Sequence, residues 1–163
     1  EPVWGGVSGM RFERGDMTSA RYGGVAIAFH WTIAALIAAN LVIGAFNETV
    51  FDGWIWLHKS IGLTVLALSL LRLAWRLGHR PPPLPREVPV WQRRLAHVVH
   101  WSLYGLMIAM PLSGWAFTSA NATPRPTTFG LFDVPPLPIG PNEMLNETGR
   151  DTHALLAWTM LLL

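Results

Sequence analysis

Histidine is the residue type in this chain best placed to do chemistry, and it recurs where the apolar spans begin. His30 lies in the first span, His58 in the second, His97 and His100 in the third, and His153 in the fourth. An imidazole in a lipid-embedded helix is costly unless something binds it, so its repetition near the membrane faces points to a buried cofactor. Haem is the candidate such a set suggests. The chain has no cysteine, which excludes disulfides, thiolate-held iron–sulfur clusters and covalently attached c-type haem. Histidine and carboxylates remain as the metal ligands on offer.

The elements that must position these residues are membrane helices. Residues 22–47 carry no charge over 26 positions, and residues 95–124 none over 30. About 20 apolar residues cross a bilayer core. A span at about 54–76 is interrupted by Lys59 and Arg72, and a fourth begins near 151 and stops at Leu163. The expected spans are therefore about 24–46, 54–76, 95–118 and 151–163. Together they form an all-α transmembrane four-helix bundle with the cofactor in its core and the fourth helix cut off. Trp54, Trp56, Trp75 and Trp101 fall where spans meet their flanks, as interfacial rings do. Residues 72–94 hold six arginines against one acid, Glu87, whereas residues 47–56 hold Glu48 and Asp52 and no base. By the positive-inside rule the arginine-rich loop and the segment before Arg21 are cytoplasmic, and the other two connections face outward.

Residues 1–16 show neither helical nor strand periodicity and are read as a non-native or disordered extension ahead of a natural start at Met17. The first span is too long for a signal-peptide core and is read as an uncleaved helix. The stretch RPPPLPREVPVWQRR cannot be helical over its prolines and is expected to lie extended along the cytoplasmic surface. The connection 119–150 has six prolines, and its FGLFDVPPL stretch is too apolar for free solvent. A loop of that length is expected to cap whatever lies beneath it.

Topology decides which histidines can meet. The second and fourth spans both enter from outside, so His58 and His153 lie at similar depth near the outer face; His30, His97 and His100 lie toward the inner face. In the second span, His58, Gly62, Val65, Ser69 and Arg72 follow spacings of 4, 3, 4 and 3 and share one helical stripe. Arg72 ends that stripe one leaflet deeper, where its guanidinium could hold a haem propionate or a quinone headgroup bidentately. Simpler readings compete. Arg72, Arg76 and Arg80 also serve as topology signals, and His79 beside the prolines is read as solvated. Gly44, Gly62, Gly105 and Gly114 are read as helix packing ahead of cofactor clearance. Lys59 is an interfacial lysine that makes the outer mouth positive.

These residues resemble the bacterial cytochrome b561 family of small inner-membrane di-haem proteins, which includes the superoxide oxidases. The likeness runs from about Met17 to Leu163 as a single membrane cytochrome b domain. It rests on AFHW at His30; on H-x3-G-x9-R-x3-R at His58, Gly62, Arg72 and Arg76; and on H-x2-H-x3-Y-x6-P-x2-G at His97, His100, Tyr104, Pro111 and Gly114. FGL followed by prolines, and then His153, completes it. The resemblance implies two b-type haems with bis-histidine ligation, one near each face. His58 and His153 are then the iron ligands of the outer haem and His30 one ligand of the inner. The other inner ligand in the family lies about 14 residues after the first histidine of the fourth helix, close to four turns and about 21 Å deeper. Leu163 precedes that position, so the inner site is expected to be incomplete, with His97 or His100 as stand-in ligands.

The function expected from this resemblance is transmembrane electron transfer, from an outer donor such as superoxide or a redox protein to ubiquinone, in the bacterial inner membrane with the N-terminus cytoplasmic. Bis-histidine iron has no open position, so it passes single electrons without binding substrate. A haem-bearing anchor subunit of a dehydrogenase or hydrogenase is the alternative, and a metal or solute transporter is a third reading. Transport would favour further intramembrane carboxylates, and the spans contain none past Asp151 at the very start of the fourth. Nothing in the chain points to nucleic acid.

Overall fold

A computed structural model describes residues 23–46, 49–50, 53–79, 88–129 and 132–163. The N-terminal extension, Arg21 and the proline run after Arg80 lie outside the described residues. Four helices follow in order: α1 (Gly24–Ala45), α2 (Ile55–Gly78), α3 (Val90–Ser119) and α4 (Glu143–Leu162). Successive helices pack on one another, α1 on α2, α2 on α3 and α3 on α4. The result is a helical bundle, as the sequence implies.

The helices form for different local reasons. α1 has no side-chain cap and no charge in its terminal turns; it is apolar on all sides, which suits a helix whose backbone bonds must be satisfied internally in lipid. α2 follows Gly53, whose φ of +79° is open to glycine and strained for other residues. α3 begins after Pro89, ahead of the apolar stretch expected from 95, because Arg93 and Arg94 continue the helix beyond the bilayer core. α4 begins at Glu143, ahead of the span expected from 151. The Asn142 side chain accepts from Leu145 N at 2.9 Å, and Glu143 meets the positive end of the helix dipole. Apolar periodicity does not register those first two turns, which carry Glu143, Glu147 and Arg150.

Among the described residues α1, α2 and α3 are long and apolar enough to cross a membrane. Their large side chains face outward freely, Trp31 at 68% exposed and Leu71 at 58%, an arrangement that lipid tolerates and water does not. Inside, Ile33, Val65, Tyr104 and Met107 form the buried core where α1, α2 and α3 meet. The stripe on α2 points into the bundle, with Val65 and Ser69 buried and His58, Gly62 and Arg72 partly so. α4 closes onto α3 at Gly149, where an added Cβ would lie 2.6 Å from Phe117 Cβ.

The connection between α3 and α4 contains a small antiparallel hairpin, β1 (Thr127–Thr128) and β2 (Asp133–Val134), paired Thr127 to Val134 and Thr128 to Asp133. Its ends are tied to the bundle. Ser60 Oγ of α2 donates to Thr128 O at 2.7 Å, and Ser119 Oγ of α3 accepts from Leu137 N at 2.9 Å. Asn146 of α4 donates to Phe117 O at 2.7 Å.

Candidate functional site

His58 and His153 meet. Their ring centres stand 6.1 Å apart with the planes at 82°, although α2 and α4 are separated in the chain by the whole of α3. Each ring is held the same way. His58 Nδ1 lies 3.1 Å from the backbone carbonyl of Asn40 on α1, and His153 Nδ1 lies 2.9 Å from the carbonyl of Met110 on α3. A carbonyl only accepts, so each Nδ1 carries the proton and each Nε2 is left with a free lone pair. This is the tautomer a metal-binding imidazole needs, oriented through its other nitrogen. Ser113 Oγ, 3.0 Å from His153 Nδ1, donates to the same Met110 carbonyl.

Two glycines make room for the rings. A Cβ on Gly44 would fall 2.8 Å from His58 Cε1, and one on Gly114 would fall 3.0 Å from His153 Cε1. In each case the accepting carbonyl belongs to the residue four positions before the glycine, one turn back on the same helix. The Cε1–Nδ1 edge of each imidazole therefore enters a notch, with its N–H reaching that carbonyl. Helix packing was the leading sequence reading of these glycines; instead they seat the histidines. Gly62 has only ordinary contact with Asn40, and Gly105 faces open space.

A cavity of about 470 Å³ adjoins the pair, walled by both histidines, Gly44, Gly62, Gly114 and Trp158 among others. That lies within the range of small-molecule and cofactor pockets, roughly 300–1,000 Å³. Lys59 and Arg150 stand on its wall, and Thr127 of the hairpin lines it too. Among the described residues no group of three or more His, Cys, Asp or Glu could hold a metal. Two imidazoles supply only two ligands, which would fit a metal that brings further donors of its own. Two imidazoles on one metal atom, each about 2 Å away, place their ring centres about 6 Å apart, in accord with the separation here. The residues fit haem.

The other sequence-selected residues lie toward the opposite end. Arg72 reaches His30, with Nη2 donating to Nδ1 over 3.4 Å, and its guanidinium lies 5.4 Å from the centre of the Tyr104 ring; that of Arg76 lies 5.6 Å from it. His30 is exposed, and its Nδ1 accepts where those of His58 and His153 donate. His97 lies edge-on to Trp101, with ring centres 6.1 Å apart, and His100 Nδ1 lies 2.6 Å from Ala96 O of its own helix. The structure therefore joins His30 to Arg72, whereas His97 and His100 sit within α3. His79 stacks on Trp75 at 3.9 Å and is exposed. Sequence reading missed Asn40, Ser113 and Arg150, and an asparagine in an otherwise uncharged membrane helix was the available signal for the first.

The family model for prokaryotic cytochrome b561 matches residues 21–163. The chain belongs to that family. It is 34% identical over 153 residues to cytochrome b561 homolog 2 of Escherichia coli (strain K12), covering 90% of this chain and 80% of that protein. It is 30% identical over 142 residues to the probable superoxide oxidase CybB of Yersinia pestis, covering 84% and 78%. Family membership makes this a multi-pass bacterial membrane protein, embedded in the lipid bilayer, that carries b-type haem and serves transmembrane electron transfer.

Proposed function

We propose that this cytochrome takes single electrons from a donor at the outer face, superoxide being the fitting one, and delivers them to ubiquinone in the membrane. The observation that carries the reading is the pair of imidazoles, ring centres 6.1 Å apart, each with Nδ1 on a backbone carbonyl. In this proposal His58 and His153 would hold the haem iron through Nε2. Bound there, a haem would supply one-electron exchange.

The chain's own residues do the rest. The Asn40 and Met110 carbonyls orient the two rings and raise their basicity as ligands. Lys59 and Arg150 present positive charge at the cavity, which favours the approach of an anion and the seating of carboxylates. The hairpin, held by Ser60, limits water at that mouth. The arginine-rich segment 72–94 supports an orientation with the N-terminus and the Arg72 end cytoplasmic. The name of the Yersinia pestis relative supports superoxide as donor.

Toward Arg72 the same reading assigns His30 as one ligand of a second haem and Arg72 as the cation for its carboxylate or for a quinone headgroup. Binding iron through Nε2 requires a proton on His30 Nδ1, so the Arg72 contact would give way and free the guanidinium for that anion. The test uses purified protein: optical spectra oxidised and dithionite-reduced, haem per chain, and superoxide-driven reduction of ubiquinone. A low-spin b-type spectrum with quinone reduction is expected. Loaded haem with no superoxide-dependent quinone reduction would overturn the donor and acceptor.

A further inference from the structure

Beside the imidazole pocket lies a second cavity of about 20 Å³, between Asn40, Gly62, Val65, Met107 and Pro111. Its walls are mostly apolar, and two of the lining residues can offer an acceptor. Asn40 is only 5% exposed, and its Oδ1 finds no hydrogen-bond partner among the described residues. A buried amide oxygen left unpaired is costly, so a partner is expected. The second residue is Met107, whose backbone carbonyl is the other acceptor. Residue 111, one turn on, is a proline inside α3, so this carbonyl lacks its helical donor. Helical carbonyls point along the axis toward the following turn, here toward Pro111, and Met107 and Pro111 both line the cavity.

Room and partners agree. A fixed water needs about 10–15 Å³ of such volume and two to four polar partners. We propose that this cavity binds one structural water, which donates one hydrogen to Asn40 Oδ1 and the other to Met107 O. Two acceptors repel an anion, and two neutral oxygens are too few ligands to hold a metal ion. The consequence rests on the reading of the larger pocket as a haem site. Asn40 also lines that pocket, and its backbone carbonyl orients His58. The water thus fixes the side chain of the residue that positions the imidazole, and sets a dipole in the core between the imidazole pair and the Arg72–Tyr104 cluster.

X-ray radiolytic footprinting of the purified full chain tests it. Radicals born from a bound water oxidise the side chains beside it, so Met107 should be labelled rapidly although it is 6% exposed. Asn40→Leu removes one acceptor, and Pro111→Ala restores the helical N–H to the Met107 carbonyl; each should abolish that labelling. Pro111→Ala decides the matter where Asn40→Leu fails to fold. Absence of Met107 labelling in the unaltered protein, or labelling unchanged in the folded variants, would overturn the site. The readout does not depend on haem, so an optical spectrum of the same sample separates failure of the water from failure of the haem reading.

Discussion

Replacing Gly44 or Gly114 with alanine tests whether the notches, and not the histidines alone, make the site. The added Cβ would stand 2.8 Å from His58 Cε1 or 3.0 Å from His153 Cε1, whereas carbon atoms rest at about 3.5 Å or more. The ring must therefore retreat by about 0.5–0.7 Å. His58 Nδ1 is already 3.1 Å from its carbonyl, so such a retreat carries it past the distance at which a hydrogen bond holds. Overpacking costs about 1–3 kcal/mol. Alanine in a helix interior returns about 1 kcal/mol over glycine, so the fold is weakened modestly while the ligand geometry is lost. Gly105→Ala is the control, because its Cβ meets nothing within 4 Å. The assay is haem per chain with the reduced-minus-oxidised spectrum. Gly44→Ala and Gly114→Ala are expected to lose haem or its low-spin signature, and Gly105→Ala to keep both. If all three load haem equally with the same spectrum, the notch argument is wrong.

Three further outcomes are expected. His58→Ala and His153→Ala should remove the same spectral component, and full low-spin signal in both would refute the shared site. Ser60→Ala loses the 2.7 Å tie to Thr128 O, worth about 1 kcal/mol; hydrogen exchange in the hairpin should quicken, and unchanged exchange would show that other contacts hold it. Arg72→Lys keeps the positive-inside charge but loses the planar fork. It should insert normally, keep the component bound by His58 and His153, and slow quinone reduction; normal quinone reduction with an unchanged redox titration would leave Arg72 a topology residue.

Much of the bundle was legible because lipid leaves few options: uncharged runs long enough to cross a bilayer must be helices. Matched depth was also enough to pair His58 with His153. Helix starts were less legible, since α4 begins with a capped polar turn at Asn142 that hydropathy overlooks. Inward direction on α2 was readable from the stripe ending at Arg72. Its partners were not, because meeting His30 and Tyr104 depends on the rotation of α1 and α3 about their axes. The glycines show the limit most clearly. Gly44, Gly105 and Gly114 look alike in sequence, yet two receive an imidazole and one faces open space.

The two notches also explain how four helices can set one ring separation. α1 offers Asn40 O and Gly44 to His58 of α2, and α3 offers Met110 O and Gly114 to His153 of α4. Each neighbouring pair thus fixes its own imidazole by a local contact that needs nothing from the other pair. What brings the rings to 6.1 Å is the packing of α2 on α3, where Val65 meets Tyr104 and Met107 in the buried core. Close-packed interiors yield little when one side chain changes volume. The spacing across the pocket is therefore set by core residues that touch no imidazole, and a volume change at Val65 should disturb the pair while leaving each Nδ1 on its carbonyl.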